Sequence, residues 1–231
     1  MDISTVSQPW KTDIHYVFER MFSQHGKLVA VECLSRFNNE ILTPEEFFHS
    51  ATPALRTAIF LDQLALIESR QSWFARHHIT VTLNVDDDIL DLFHDAQFIE
   101  RIHRIPCVHF EINEHSQRLL SDFFSAIAQQ RSPVFWLDDY GSGYAGIDVI
   151  RRHHFGYIKI NKDAFWFLED NAFGQHYMRS LLSFLHNNQH HVIIEGVENQ
   201  AQIDWLAGMD WYALQGHYWP ALSMDELIAS V

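Results

Sequence analysis

In this chain a short apolar run repeatedly ends in a carboxylate or an amide. Leu28-Val29-Ala30-Val31 runs into Glu32, Val81-Thr82-Leu83 into Asn84, and Val108-His109-Phe110 into Glu111, with Glu114 just after. Val134-Phe135-Trp136-Leu137 leads to Asp138-Asp139, and Val192-Ile193-Ile194 leads to Glu195, with Glu198 close behind. The runs are apolar on both faces, as the strands of a buried parallel sheet are. Between them lie stretches with a helical period: Phe60, Leu64, Ile67 and Phe74 share one face, as do Leu120, Phe123, Phe124 and Ile127, and Met178, Leu181, Leu182 and Leu185. Thr43 with Glu46, and Ser223 with Glu226, read as capping boxes. Asn199 reads as a helix cap and Gly208 as a helix stop. Alternating strands and helices point to an α/β fold, and a barrel fits better than an open sheet. In a barrel the C-terminal strand ends share one rim, so the acids above would meet in a small volume.

Carboxylates packed that closely repel one another unless cations bind. Mg²⁺ or Mn²⁺ suits such an oxygen-rich set. Adjacent acids such as Asp138 and Asp139 can serve two ions, and two ions about 3.5–4 Å apart are an established device for cleaving phosphodiesters. Lys159 lies inside an apolar run, where an ammonium is costly unless it has work to do. Asp86-Asp87-Asp88 reads instead as a helix start or a solvated acidic turn.

The length of 231 residues accommodates one barrel, and the chain is read as a single domain over 1–231. A net charge of −14 disfavours DNA as a partner, because a nucleic-acid backbone needs clustered Lys and Arg. A small phosphorylated substrate remains compatible when metal ions screen the acids. The two cysteines, Cys33 and Cys107, have no zinc-ligand spacing, and Cys33 reads as a small core residue. Of the sixteen histidines, the adjacent pairs His77-His78, His153-His154 and His190-His191 are poor metal pairs, since neighbours point to different faces; they are assigned to surface or loops. No apolar run reaches membrane-spanning length and no signal peptide is evident, so the expectation is a cytoplasmic protein with no membrane partner.

Six motifs in order carry a family resemblance. Glu32-Cys33-Leu34-Ser35-Arg36 resembles the signature of the EAL domains, the bacterial cyclic-di-GMP phosphodiesterases, with Cys33 in place of Ala. Asp138-Asp139-Tyr140-Gly141-Ser142-Gly143-Tyr144 is similar to that family's DDFGTGY loop. Glu111-Ile112-Asn113-Glu114, Tyr157-Ile158-Lys159-Ile160, Glu195-Gly196-Val197-Glu198 and Leu214-Gln215-Gly216-His217-Tyr218 resemble four further family segments. The resemblance implies a TIM-like (β/α)8 barrel with one antiparallel strand. It also implies hydrolysis of cyclic di-GMP to linear pGpG with two Mg²⁺ or Mn²⁺ ions. On the matching positions, Glu32, Asn84, Glu111, Asp138 and Glu195 would ligate metal directly, and Asp139 would help hold the second ion. Lys159 would orient or polarise the attacking water. Arg36 would reach a substrate phosphate, Leu34 and Gln215 would line the substrate, and Glu114 would brace the loop that begins at Asp138. Members often form a homodimer near that loop.

The chain also departs from the pattern. Glu19-Arg20 stands where the family has Gln-Pro, Asn161 replaces an Asp two places after the lysine, and Trp219-Pro220-Ala221 replaces Ser-Arg-Pro. Trp219 is a candidate for stacking on guanine at the substrate rim. The leading expectation is an active phosphodiesterase controlling motility and biofilm. The alternative is a catalytically weak or inactive regulator that binds a protein, for instance a flagellar transcriptional regulator.

Overall fold

Eight strands close into a barrel in sequence order: β1 (Ile14–Phe22), β2 (Leu28–Phe37), β3 (Thr80–Val85), β4 (Val108–Asn113), β5 (Phe135–Tyr140), β6 (Tyr157–Ile160), β7 (His191–Ile194) and β8 (Ala213–Gln215). The computed structural model describes residues 13–38, 43–124, 133–143 and 146–231. The N-terminal stretch up to Thr12, Ile127 on the expected helical face and Tyr144 at the end of the glycine-containing loop lie outside the described residues. β1 runs antiparallel to both neighbours, β2 and β8, whereas the other pairings are parallel. The expected barrel with one antiparallel strand is therefore the observed architecture.

Helices wrap the outside: α1 (Pro44–Ser50), α2 (Pro53–His77), α3 (Ala96–His103), α4 (Ile147–Arg152), α5 (Lys162–Glu169), α6 (Gly174–Asn187), α7 (Gln200–Trp205) and α8 (Met224–Ser230). Their starts follow the local sequence. Thr43 with Glu46 and Ser223 with Glu226 form reciprocal capping boxes, and the Asn199 side chain accepts from the Gln202 N–H. The face of α2 bearing Phe60, Leu64, Ile67 and Phe74 is buried against the barrel. The face expected to join Leu120 to Phe123 is not continuous: Leu120 ends a short 3-10 turn, Ser121 is extended, and Leu120 is 68% exposed while Phe123 is buried. His190, expected at the surface, is also buried, and its Nδ1 donates to the Phe155 carbonyl at 2.6 Å. No helix among the described residues is long and apolar enough to cross a membrane.

Inside the barrel, side chains alternate with the period-two geometry of strands. Met21, Ala30, Trp136, Ile193 and Ala213 form an apolar plug. Two residues further along their strands stand Glu32, Asp138, Glu195 and Gln215. Glu111 follows His109, and Lys159 follows Tyr157, by the same step. β1 runs the other way, so its inward residue on this level is Glu19, two before Met21, opposite Glu32 in the register. The plug carries its own polar tie: Trp136 Nε1 donates to His109 Nδ1 at 2.9 Å. Burial pushes the His109 pKa down to about 4, which keeps the ring neutral and able to accept.

Beyond β8 the chain turns through Gly216, whose φ of 154° and close approach to Val197 leave no room for a side chain. A Cβ there would lie 2.2 Å from the Val197 carbonyl oxygen. The same contact is tied by Val197 N–H to the Gln215 carbonyl at 3.0 Å and Tyr218 N–H to the Val197 carbonyl at 3.0 Å. Gly216→Ala is expected to cost on the order of 1–3 kcal/mol of stability, read as a lower urea midpoint. An unchanged midpoint would contradict this packing.

Candidate active site

The rim centres on one buried ammonium. Lys159, 1% exposed, lies 3.0 Å from Glu32, 2.9 Å from Glu111, 3.1 Å from Asp138 and 2.7 Å from Glu195. Four strands besides β6 thus deliver a carboxylate to the same point. Asn84 donates to Glu32 Oε1 at 2.6 Å, and Gln215 donates to Glu32 Oε2 at 2.8 Å. Glu32 is the most heavily bonded acid: burial alone would raise its pKa, but Lys159, Gln215 and Asn84 together hold it down at about 2.

The other acids behave oppositely. Burial is the main cause that lifts Glu195 to about 8 and Asp138 to about 6; Lys159 opposes it, and the neighbouring charges add to it. Glu111 is pushed well above the carboxylate range by burial and by the charge of Glu32. Burial disfavours the Lys159 ammonium, yet the carboxylates of Asp138, Glu111, Glu195 and Glu32 outweigh it and raise its pKa. In the cation-free protein Lys159 is therefore held as an ammonium that donates to these acids.

Adjacent residues of a strand normally face opposite ways, yet Asp138 and Asp139 both serve this rim. The register between β5 and β6 shifts between Leu137 and Tyr140, and Asp139 adopts φ 60°. This bulge re-aims the second aspartate. Asp138, Asp139 and Glu195 each bring an oxygen within 4.8 Å of the others. Both Asp139 oxygens are held by amides: Asn113 donates to Oδ2 at 2.5 Å and Asn161 to Oδ1 at 2.7 Å. Each amide is oriented by a second bond. Asn113 accepts from the His115 N–H, and Asn161 caps α5 by accepting from the Asp163 and Ala164 N–H groups.

Glu114 lies beneath the next turn. Its carboxylate accepts from Ser142 Oγ at 2.9 Å and from the Gly141 N–H at 3.4 Å, while its own N–H bonds the Asp138 carbonyl at 3.1 Å. A groove of about 410 Å³ beside the acids is lined by Leu34, Arg36, Arg56, Asn84 and Asn113 among others. In it Arg36 is paired with Glu19 at 2.8 Å, and Glu19 also accepts from Gln215 at 3.2 Å.

Glu32, Asn84, Glu111, Asp138, Asp139, Lys159, Glu195 and Gln215 thus lie together at this rim, Leu34 and Arg36 lie in its groove, and Glu114 lies under the adjoining turn. Reading the sequence alone missed Asn113. Its signals were its place two after Glu111 on the same inward face and its position inside the Glu111-Ile112-Asn113-Glu114 motif. Asp86 to Asp88 open a 3-10 turn as expected, with Asp86 accepting from the Ile89 N–H at 2.8 Å, and they are not a free acidic turn: Asp86 and Asp88 pair with Arg56, and Asp87 accepts from Ser116, which ties two rim loops together. Trp219 does not reach the groove. It packs 4.9 Å from Phe22 and lines a separate cavity with Gln24, Trp211 and Leu214.

The donor set fits divalent cations. Its ligands are oxygens, the carboxylates outnumber the ammonium, and Glu111 Oε1 and Gln215 Oε1 are buried acceptors without a hydrogen-bond partner. Unpaired buried acceptors are what a cation would satisfy.

The sequence profile of the EAL domain matches residues 11–221. The chain is 27% identical over 209 residues to the Escherichia coli K12 protein named Cyclic di-GMP phosphodiesterase PdeH, covering 88% of this chain and 81% of that protein. It is 25% identical over 218 residues to the Salmonella arizonae protein named Anti-FlhC(2)FlhD(4) factor YdiV, covering 90% and 91%. Among solved structures, the EAL-like domain protein YdiV superposes with TM-score 0.84 at 18% identity, over 96% of this chain and 98% of that one. The PaMucR phosphodiesterase in complex with c-di-GMP superposes with TM-score 0.72 at 17% identity, over 94% and 95%.

Lys159→Met keeps the stem and deletes the charge. The four acids then hold protons more tightly in the folded than in the unfolded chain, so stability falls as pH rises. The variant is expected to lose about 3–5 kcal/mol near pH 8 and less near pH 5, read by urea denaturation in metal-free buffer. An equal loss at both pH values would contradict the electrostatic account.

Proposed function

The chain belongs to the EAL domain family, and we propose that it is a metal-dependent phosphodiesterase that hydrolyses cyclic di-GMP to linear pGpG, lowering this second messenger in the control of motility and biofilm. The observation that carries the reading is the convergence of Glu32, Glu111, Asp138 and Glu195 on the Lys159 ammonium, with Asp139 beside them. The relative named as a cyclic di-GMP phosphodiesterase supports the substrate.

Two Mg²⁺ or Mn²⁺ ions, held by Glu32, Asn84, Glu111, Asp138, Asp139 and Glu195, would lower the pKa of water at the rim and neutralise charge on the phosphoryl oxygens. Lys159, kept protonated by its acidic neighbours, orients the attacking water and stabilises negative charge in the transition state. One water adds across one phosphodiester, giving a phosphate monoester and a free hydroxyl. Arg36 would turn its fork to a substrate phosphate, Leu34 in the groove and Gln215 at the rim would line the ligand, and Glu114 holds the loop that aims Asp138 and Asp139. The apolar plug beneath excludes water from below, so the charges act in a low-dielectric setting.

A second reading is a regulator that acts by binding a protein. It draws on the relative named as an Anti-FlhC(2)FlhD(4) factor. It also draws on a cavity of about 730 Å³ beside Tyr140 to Ser142, whose wall includes the exposed Phe167, Phe173 and Tyr177.

The test is incubation of the purified protein with cyclic di-GMP and Mg²⁺ or Mn²⁺, with pGpG read by chromatography. Product is expected, and Glu32→Ala should lower the rate by at least about a hundredfold. A folded protein that yields no product with either metal would sink the enzymatic reading; a partner retained by Glu32→Ala would favour the second.

Cation affinity should also depend on pH. Ligation needs the carboxylate forms, and Asp138 and Glu195 hold protons up to about 6 and about 8 in the cation-free protein. Mn²⁺ binding is expected to tighten as pH rises across that window, with proton release visible by calorimetry in two buffers of different ionisation heat. Binding without proton release near neutrality would contradict the assignment.

A further inference from the structure

Arg36 and Arg56 line the groove and Lys159 lies beside it at the rim, and each of the three is already engaged by carboxylates. Lys159 is held by four. Arg56 is held by Asp86 and Asp88. Arg36 is held by one, Glu19, at 2.8 Å, and its other terminal nitrogen donates to the Ser35 carbonyl at 3.1 Å. The next residue along, Arg20, offers no substitute, because it is turned to the Pro220 carbonyl at 3.2 Å.

Of these ion pairs, the one between Arg36 and Glu19 is the one an incoming anion can open. It involves a single carboxylate, where Arg56 is held by two and Lys159 by four, and Arg36 is 35% exposed against 20% for Arg56 and 1% for Lys159. Glu19 is placed there by the antiparallel course of β1, which sets it opposite Glu32. Gln215 joins the two acids, donating to Glu19 at 3.2 Å and to Glu32 at 2.8 Å.

We propose that Glu19 sets the affinity of the groove for its anionic ligand: it occupies Arg36, and a substrate phosphate must displace it to reach the guanidinium. Two costs follow. The ion pair has to be opened, and the freed carboxylate stays close to a ligand of the same charge sign. A partly exposed pair of this kind corresponds to about a two- to fivefold change in affinity. Glu19 is a positioning residue acting through Arg36; it is not itself a reacting group. The inference rests on the reading that the groove takes cyclic di-GMP.

The experiment titrates cyclic di-GMP by calorimetry, in Ca²⁺, into the wild type, Glu19→Gln, Glu19→Ala, Arg36→Ala and the Glu19→Gln/Arg36→Ala double variant. Circular dichroism checks that each is folded. Both Glu19 variants are expected to bind about two- to fivefold more tightly than the wild type, and the gain should vanish when Arg36 is absent. Binding by Glu19→Gln where the wild type shows none would support the same conclusion. Equal or weaker binding by both Glu19 variants overturns the inference, as does a gain that persists without Arg36. If the wild type still makes pGpG in Mg²⁺ or Mn²⁺, only the inference has failed. If no folded variant binds and the wild type makes no pGpG, the inference and the functional reading fall together.

Discussion

The buried Lys159 ammonium is the constraint around which the barrel interior is arranged. An unpaired ammonium at that depth would be strongly disfavoured. Here it is met by Glu32, Glu111, Asp138 and Glu195 at 2.7–3.1 Å. The arrangement overshoots: one positive charge faces four acids, so the pocket is stable only if the excess is absorbed by protons or by further cations. The elevated pKa values of Glu195 and Asp138 are the proton solution. A polyvalent cation is the other, and the two compete for the same oxygens. Affinity for metal is thus built into the same imbalance that the lysine only partly relieves.

Asp139 solves a different problem. It is the second of two neighbouring acids, and a regular strand would send it outward. The bulge in β5 and the positive φ at Asp139 return it to the rim, at a local backbone cost of about 1–2 kcal/mol. Two oriented amides, Asn113 and Asn161, then hold both its oxygens. Because they are neutral, they fix the carboxylate without adding to the repulsion around it. An acid at position 161, as the family pattern has, would hold α5 equally well as a cap but face Asp139 with a like charge. The asparagine therefore trades cation-attracting charge for geometric certainty at this end of the rim.

Much of the fold was legible because strand and helix periods are properties of short segments. The apolar runs ending in acids located β2 to β5 and β7 and the rim they share, and the capping pairs located helix starts. The meeting of Glu32, Glu111, Asp138, Glu195 and Lys159 follows from each lying one inward step above the plug. What escaped the sequence depended on tertiary packing or on a break in regularity. Leu120 was misplaced because Ser121 interrupts the helical face. The helix-start reading of Asp86 to Asp88 holds, since Asp86 accepts from the Ile89 N–H, but their ties to Arg56 and Ser116 were not legible because those partners come from distant parts of the chain. Trp219 suggested a stacking surface, but the turn after Gly216 packs it on Phe22.

The antiparallel first strand has a consequence beyond closing the barrel. Parallel strands bring their C-terminal residues to the rim, and here those are mostly ligands for positive charge. β1 instead brings a residue from its middle, Glu19, with the chain running away from the rim. The position can therefore vary without altering the strand-end pattern that defines the acids. In this chain it carries a carboxylate, so Glu19 joins Glu32, Glu111, Asp138, Asp139 and Glu195 around Lys159 and Arg36. Two divalent ions would neutralise most of that set and leave little surplus to attract an anion. Under such a balance the availability of Arg36, rather than the metal ligands, becomes the term that most readily changes how tightly an anionic ligand is held.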